Sequence, residues 1–486
     1  MTAAFQPDPP LPSLRQAARL VLRARVSPSP VANRPSQITI CSIATTIETE
    51  FPLTRTKHSP GNSINRYTFP TPRLTPPRCI LNPMLPLDHS LDFDPSNDSA
   101  FFSALPFRHG VIRFAMREPA AEPYLIRTAD IRRAAERVLL PPDLSSRRLN
   151  LRDVVARVSY RVTRSKFEQS LAMYAQAKSD FPRRYMELLR LRAPALLKIN
   201  LPNHYPRCYV TRRIRGDAGF YFGPFPSRRA ADSFSEAFLD LFKTRRCQIK
   251  IRRDPSFPGC IYSEMKMCLA PCFAGCTREE YDAEAARMVE ALASSGASLV
   301  SALENEREAA SQSLDFERAA ALHKRLEKVA AALRPLPQIA RSIASLDLVI
   351  LTRSAQEKTV LVFPVRAGII SPPIFLRFDE LSSGPRSVET LLRGELESAE
   401  AAPAPAPAPV AESFDYRQRF ALASAPPELP EHLALVSRWF YSKPREGEIF
   451  YRDGAWPYRR ILRACGRILS GAPPEDSGTL GGAPPS

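Results

Sequence analysis

The chain has 486 residues, enough for two or three domains, and no apolar run approaches the roughly 18 residues that a membrane span requires. Its net charge of +18 and pI of about 9.8 favour a polyanionic partner such as nucleic acid, although charge that only aids solubility is the plainer alternative. The N-terminus lacks the arrangement of a secretion signal. We therefore predict a cytoplasmic protein with no membrane partner. In such a compartment, clustered cysteines bind metal more often than they form disulfides.

Residues 1–100 are predicted to be a disordered, proline-rich leader. Within residues 1–83 there are 14 prolines, and ten Lys and Arg stand against three Asp and Glu, a net charge of +7. An arginine-rich, acid-poor leader is also typical of an organelle transit peptide. The alternative is translation from an upstream start. We favour Met84 as the working start, because the first folded pattern follows it closely.

Residues 104–200 are predicted to form a small α/β domain. Three stretches have the composition of strands, and Asp130 is placed to cap a helix. Later stretches repeat apolar residues at intervals of three and four. The predicted strands are 110–116, 124–126 and 153–163, and the predicted helices are 131–140, 165–181 and 185–199, the last broken at Pro194.

Residues 201–280 are predicted to form a basic, cysteine-rich module. Over residues 207–253, twelve Lys and Arg stand against four Asp and Glu, a net charge of +8. Aromatic residues interleaved with the arginines suit base stacking and phosphate contact, whereas a solvated helix face is the plainer alternative. These aromatics are Tyr209, Phe220, Tyr221, Phe222 and Phe225. The residues predicted to bind DNA are Arg212, Arg213, Arg228, Arg229, Arg245, Arg246 and Lys250.

Four cysteines of this module, Cys247, Cys260, Cys268 and Cys272, have twelve, seven and three residues between them. Four thiolates can bind zinc in a tetrahedron or hold an iron–sulfur cluster. Structural zinc usually takes pairs of close ligands, and the first two cysteines here are isolated. The spacing therefore leans towards iron–sulfur over zinc, with four buried free thiols as a third possibility. Cys276 is left over.

Residues 281–335 are predicted to form a helical hairpin. Two helices meet at residues 313–315, where Asp315 is a good N-cap and Phe316 opens the second helix. A pair of this length buries little apolar area alone. We therefore expect it to pack against another domain or a second protein.

The remaining sequence adds a β-rich region and a helical region, so the fold class is α+β and multidomain. The predicted segments are a β-rich segment over 343–390, an Ala/Pro linker over 391–427, a C-terminal helical region over 428–470 and a disordered tail over 471–486.

The cysteine module and the hairpin carry a resemblance to a known family. RRC, PGCIY and CLAPC, followed by the helix that bears Tyr281, resemble the cysteine-rich segment of UvrC, the incision subunit of the UvrABC excinuclease of bacterial nucleotide excision repair. FGPFPSRRAADSF is similar to the Gly-Pro-x-x-Ser stretch of that family. LENEREAASQSLDFERAAALHKRLEKV resembles the UVR motif by which UvrC contacts UvrB. The resemblance is specific over 206–334 and fainter over 105–205 and 343–370.

The resemblance implies a [4Fe-4S] cluster on Cys247, Cys260, Cys268 and Cys272, with zinc as the alternative. It also implies a UvrB-like partner that the hairpin contacts. The residues that would make this contact are Phe316, Glu317, Ala319 and Ala320.

The sequence departs from the family in its nuclease positions. UvrC opens with a GIY-YIG nuclease domain, whose chemistry needs two tyrosines, an arginine and a metal-binding glutamate. Here Tyr124 survives, but the other three positions hold Ile112, Ala134 and Met173. Methionine cannot ligate a hard divalent ion. No stretch resembles the RNase H-like nuclease or the helix-hairpin-helix clamp of the family.

The predicted function is therefore a DNA-binding, UvrB-docking component of nucleotide excision repair that does not itself cut DNA through its GIY-YIG domain. One alternative is an active excinuclease endonuclease with displaced catalytic residues, which would require Mg²⁺. Another is a scaffold stapled by zinc, without DNA contact. The sequence leaves open whether the chain is an enzyme.

Overall fold

The computed structural model describes residues 84–141, 149–379, 387–398, 415–422 and 424–472. All of them belong to one unit of the chain, Arg78–Ser486. The predicted disorder of residues 1–83 lies outside the described residues. So do residues 399–414 and 423 of the predicted Ala/Pro linker and residues 473–486 of the predicted tail.

The first sheet is antiparallel and has four strands in the order β1-β4-β2-β3. Helices α1 and α2 cover one face, while α3 packs against the other, because alternate residues of β2 enter two different cores. The three predicted strands are confirmed, and Asp130 accepts a hydrogen bond from the amide of Arg133 to cap α2. The elements are β1 (His89–Asp92), α1 (Asp98–Ala104), β2 (Gly110–Met116), β3 (Tyr124–Thr128), α2 (Ile131–Leu139), β4 (Val155–Val162) and α3 (Lys166–Asp180).

Two sequence predictions are wrong near this sheet. Residues 89–100 were expected to be disordered, but β1 pairs along its whole length with β4. The helix expected across Pro194 is also wrong. It ends as α4 (Tyr185–Leu188), and β5 (Ala195–Ile199) follows as a fully buried central strand. A continuous apolar run such as this, opening after a proline, suits a buried strand.

The second sheet has the order β6-β5-β7-β8, and α5 packs against it. Its core includes phenylalanines from β7 and α5 together with aliphatic residues of β5 and α7. The elements are β6 (Cys208–Thr211), β7 (Phe220–Phe225), α5 (Arg228–Leu239) and β8 (Arg341–Ser342). Between α5 and β8 lie the cysteine loop and four further helices, α6 (Ile261–Glu264), α7 (Arg278–Ala293), α8 (Ala297–Gln312) and α9 (Phe316–Leu333).

The third sheet has the order β11-β10-β9-β13, with β12 also paired to β10. Helix α12 covers one face, while α10 and α13 cover the other. The predicted linker is wrong at both ends, where α10 and α11 form. The elements are β9 (Leu348–Arg353), β10 (Thr359–Arg366), β11 (Ile369–Ile370), β12 (Ile374–Arg377), α10 (Val388–Ser398), α11 (Tyr416–Phe420), α12 (Leu429–Phe440), β13 (Glu448–Tyr451) and α13 (Tyr458–Ser470).

One apolar core joins the first and third sheets. Phe167 of α3 packs edge-on against Phe363 of β10, with ring centroids 5.0 Å apart, and also lies against Trp439 of α12. The fold is thus a mixture of helix and sheet, as predicted, but these two regions share their core. Among the described helices, none is both long enough and apolar enough to cross a membrane.

Candidate functional site

The cysteine loop, residues 243–276, connects α5 to α7 and is closed by backbone hydrogen bonds. The amide of Leu269 donates to the carbonyl of Lys243, and the amide of Asp254 donates to the carbonyl of Cys272, each at 3.0 Å. These bonds fold the second half of the loop back onto the first. Ala270 adopts φ 56° in the left-handed region, which turns the chain sharply between Cys268 and Cys272.

The four predicted ligand thiols approach one another in this loop. All four are free cysteines, and the amide of Ala270 donates to Sγ of Cys268 at 3.3 Å. The pKa of Cys268 is raised to about 11, chiefly by burial and also by the neighbouring thiols of Cys247, Cys260 and Cys272, against the opposing effect of the Ala270 amide. In the described part of the chain, however, no three His, Cys, Asp or Glu side chains are grouped closely enough to hold an ion. The thiols therefore converge without forming a ligand shell.

Cys276 packs in a small apolar core with Tyr281 and Ala285 of α7, and of the four predicted ligand thiols that of Cys272 acts on its pKa. Its side chain is buried, and burial raises the pKa of its thiol. The Tyr281 hydroxyl donates to the carbonyl of Pro206 at 2.8 Å and accepts from the amide of Arg245 at 3.0 Å. Tyr281 thus ties α7 to the start of the cysteine loop.

Two of the arginines predicted to bind DNA have structural roles instead. Arg245 is only 4% exposed, and its guanidinium donates to the carbonyls of Tyr205, Cys247 and Ile249. It therefore shapes the loop that presents Cys247, and the prediction that it contacts DNA is wrong. Arg246 is mostly buried in an ion pair with Asp240 at 2.7 Å.

The other residues predicted to bind DNA are exposed. Arg228 lies within 3.4 Å of Asp232, an exposed pair that contributes little to stability. The exposed residues of this group are Arg212, Arg213, Arg228, Arg229 and Lys250.

The aromatic residues predicted to stack on bases are core residues. Phe220, Tyr221, Phe222 and Phe225 are at most 2% exposed, because both faces of β7 are covered. Tyr209 is half-buried beneath the guanidinium of Arg207, 4.5 Å from its ring centroid. Base stacking by the four β7 aromatics is therefore ruled out in this fold. The signal in the sequence was the unbroken apolar run, which is typical of a strand covered on both faces.

Of the four positions that correspond to GIY-YIG chemistry, three share one core and the fourth lies across the sheet. Ile112 and Ala134 are buried in the core under α2, and Tyr124 packs against that core. Met173 packs against the core on the opposite face of the sheet. The surviving tyrosine therefore shares its core with the apolar Ile112 and Ala134 and is separated by the sheet from Met173.

Glu168 is the carboxylate nearest in sequence to Met173, and its side chain is buried and held by a hydrogen bond and an ion pair. It is 1% exposed, its Oε2 accepts from the amide of Arg164 at 3.1 Å, and Arg161 lies 3.6 Å from Oε1. Burial raises the pKa of Glu168 to about 7, against the opposing effects of that hydrogen bond and of Arg161. A carboxyl held in this way is a structural group of α3.

The helical hairpin presents an apolar tip. Helices α8 and α9 pack through the buried residues Leu303, Leu322 and Val329, whereas Leu314 and Phe316 at the tip are 71% and 67% exposed. The side chain of Asp315 accepts from the amide of Arg318 at 3.0 Å, which confirms the predicted cap. Of the residues predicted to bind the partner, Phe316, Glu317 and Ala320 are exposed and Ala319 is partly exposed.

Sequence reasoning missed three arginines that the fold brings beside Arg212. Arg190 and Arg192 come from the segment wrongly predicted as helix, and Arg438 comes from α12. Only tertiary contacts between segments distant in sequence place them together, so no local pattern could have found them.

Comparison with protein families matches two consecutive parts of the chain. The UvrC/Cho excinuclease middle domain matches residues 195–291, which span β5 to α7 and the cysteine loop. The UvrB/uvrC motif matches residues 297–332, which span α8 and α9.

Curated relatives named UvrABC system protein C match a similar part. The protein of Carboxydothermus hydrogenoformans is 32% identical over 184 residues, 37% of this chain and 30% of that protein. The protein of Nitratidesulfovibrio vulgaris is 34% identical over 179 residues, 36% of this chain and 25% of that protein. The chain thus spans about a third or less of each of these relatives. No solved structure matches. The chain is therefore similar to the UvrC family over residues 195–332, where matches to the UvrC/Cho middle domain and to the UvrB/uvrC motif follow one another.

Proposed function

We propose that this chain is a DNA-binding component of nucleotide excision repair that docks a UvrB-like protein through its hairpin. The observation that carries the proposal is the exposed apolar tip of a hairpin that matches the UvrB/uvrC motif. The names of the relatives place them in the UvrABC system.

The chemistry of the tip suits docking to another protein. Phe316 and Leu314 stand in solvent beside Glu317 and the small residue Ala320. Burying a phenylalanine that is otherwise exposed contributes about 1.5–3 kcal/mol, and small neighbours allow a partner to approach closely. The core of the hairpin lies between α8 and α9, so the tip residues are not needed to hold the two helices together.

Docking is tested by measuring the affinity of the full chain for a purified UvrB-like protein by calorimetry. We expect Phe316→Ala to weaken binding at least about tenfold, because it removes the most exposed aromatic group of the tip. The matched control is Phe107→Ala, which removes a side chain of similar exposure, 62%, from the turn before β2. Equal affinity of Phe316→Ala and the unaltered chain would refute docking through the tip.

DNA contact is proposed for the exposed basic residues of the matched module. Arg212, Arg213, Arg228, Arg229 and Lys250 present cations to solvent, and such groups bind phosphates without reading sequence. Arg245 and Arg246 are left out of this set because both are engaged within the protein.

A [4Fe-4S] cluster bound by Cys247, Cys260, Cys268 and Cys272 is part of the proposal, with zinc as the alternative. Three observations support a metal-binding role: four free thiols, their mutual electrostatic influence and an amide that donates to the sulfur of Cys268. A bound cluster would cross-link the loop and supply one-electron redox chemistry. Arg245 and Tyr281 hold the backbone of the loop at the end that bears Cys247.

The proposal includes no incision by the domain that contains the first sheet. Its support is the separation of Tyr124 from Met173 by the sheet and the apolar side chains at the other positions. An active nuclease with displaced catalytic groups remains the alternative to be tested.

A further inference from the structure

A groove of about 180 Å³ lies between α12, the start of β5 and the end of β6. Its lining includes Arg190, Arg192, Arg212 and Arg438, and no aspartate or glutamate. We call it the arginine groove.

The topology explains why these arginines meet. Strands β5 and β6 are antiparallel, with Leu196 opposite Thr211. The start of β5 therefore adjoins the end of β6, which brings Arg192 beside Arg212. Helix α12 passes over this end of the two strands. Arg438 on α12 donates to the carbonyls of Leu189 at 3.3 Å and Arg190 at 2.7 Å.

The positive charges of the groove are not neutralised by neighbouring groups. In the stretches that the structure describes, no ion pair joins any of the four arginines to a carboxylate, and three of them project from exposed loop positions. The pKa of Arg438 is lowered, first by burial and then by repulsion from Arg127 on β3. Four cations around one groove without a carboxylate ion pair repel one another, and a bound anion would relieve this repulsion.

We propose that the arginine groove binds phosphate groups in the backbone of a nucleic acid. Guanidinium groups bind phosphate oxygens in pairs of hydrogen bonds, which fits arginine at all four positions. Two further arginines lie near the groove: Arg213 is exposed next to Arg212, and Arg127 is near enough to Arg438 to lower its pKa, so six arginines share this region. A repeating polyanion suits such a group of arginines better than a single small phosphate.

This inference rests on the proposed DNA binding and sharpens it. It adds Arg190, Arg192 and Arg438 to the DNA-binding surface, and all three lie outside the residues that match the family models. Helix α12 would thereby contribute to DNA binding from the part of the chain beyond the hairpin.

The test measures the affinity of the full chain for a labelled duplex of about 20 base pairs by fluorescence anisotropy, at several salt concentrations. The variant Arg192→Gln/Arg212→Gln should bind at least about tenfold more weakly at 0.1 M salt. The slope of log affinity against log salt should fall by about 2, because two phosphate contacts are lost. Arg192→Lys/Arg212→Lys, which keeps the charge but loses the paired hydrogen bonds, should keep the salt slope of the unaltered chain and lose less affinity than the glutamine variant.

The matched control is Arg459→Gln/Arg463→Gln on α13. Both arginines are exposed, and α13 covers the face of the third sheet opposite α12. The control removes the same charge away from the groove and should leave the affinity within about twofold of that of the unaltered chain. Thermal unfolding of each variant establishes that it is folded.

Equal losses in the groove variant and in the control would show that only net charge matters and would overturn the inference. So would a groove variant that binds as tightly as the unaltered chain, a result that leaves DNA binding itself intact. If the unaltered chain does not bind duplex DNA, the proposed DNA contact fails together with the inference. Displacement of the duplex by inorganic phosphate at about 10 mM would assign the groove to a small phosphate and overturn the inference. Displacement by poly-glutamate that is as effective as that by unlabelled duplex would assign it to an acidic protein, with the same consequence.

Discussion

The first sheet and the region that matches the UvrC family differ in where they place the side chains expected to have a function. The first sheet buries them in its core, whereas the matched region exposes them or brings them together. In the first sheet, positions that would carry nuclease chemistry hold Ile112 and Ala134, which are buried in a packed core. In the matched region, Phe316 stands in solvent at the hairpin tip, and the thiols of the cysteine loop converge. The first sheet has the features of a structural support, whereas the matched region presents the groups that could bind partners.

The shared core strengthens this contrast. Helix α3 of the first sheet packs into the same core as β10 and α12 of the third sheet. Its Tyr174 hydroxyl donates to Glu431 of α12 at 2.5 Å. Helix α3 thus has a stabilising role, because its apolar and polar side chains both join the first sheet to the third.

The largest expected effect is on the metal content of the cysteine loop. Cys268→Ser should remove most of the iron, about four atoms per chain in a [4Fe-4S] protein, from anaerobically purified material, together with its visible absorption. Cys268 lies near enough to the other three thiols for each of them to raise its pKa, and serine is a poor ligand for this cluster. Iron and zinc analysis with absorption spectroscopy measures the outcome.

Cys276→Ser is the matched control. It removes a buried thiol of the same loop that packs with Tyr281, so it should lower stability but keep the metal. Metal retained in Cys268→Ser, or lost equally in both variants, would contradict the proposed ligands. Zinc in place of iron would support the alternative cofactor.

A second prediction concerns the buried carboxyl of the first sheet. The pKa of Glu168 is raised from its ordinary 4.5 to about 7, chiefly by burial. The folded state therefore holds a proton that the unfolded chain releases. The stabilisation from this proton is complete below pH 4.5 and is lost as the pH rises through about 7.

Between pH 5 and 8, the free energy of unfolding of the unaltered chain should fall by about 1–3 kcal/mol relative to that of Glu168→Gln. Glutamine has nearly the same shape and stays neutral, so the comparison isolates this one carboxyl from other titrating groups such as His432. Urea unfolding at pH 5, 6, 7 and 8 measures the difference. The exposed Glu187→Gln on α4 is the control and should show no such trend; a flat difference for Glu168→Gln would mean that the carboxyl is ionised when folded.

Local signals in the sequence predicted a large part of the fold. Asp130 and Asp315 are confirmed as helix caps because a cap depends on residues within one turn. The strand at Ala195–Ile199 was missed because its partners come from distant sequence, such as Tyr221 opposite Lys198. The strand propensity of these five residues alone could not outweigh the helical pattern of the residues that precede them.

The candidate site was predicted less well, for a physical reason that recurs. Arginine in a basic stretch has the same sequence signature whether it is exposed, as Arg229 is, or buried against carbonyl oxygens, as Arg245 is. The aromatic residues of β7, predicted to stack on bases, are buried for the same reason. Burial depends on which layer covers a residue, and that is decided by contacts such as those between β7 and α5.

The smallest expected effect is at Tyr124, where an effect on incision would show that the first sheet is more than a structural support. The chain is incubated with damaged duplex, Mg²⁺ or Mn²⁺, and purified UvrA and UvrB, and products are resolved on a denaturing gel. We expect no incision that depends on Tyr124, so Tyr124→Phe should behave as the unaltered chain does and unfold within about 0.5 kcal/mol of it. The reason is geometric, since Tyr124 packs beside Phe114 with ring centroids 5.9 Å apart, and Met173 lies across the sheet. Incision that disappears in Tyr124→Phe but persists in Phe107→Ala would show that the first sheet retains catalysis with displaced groups.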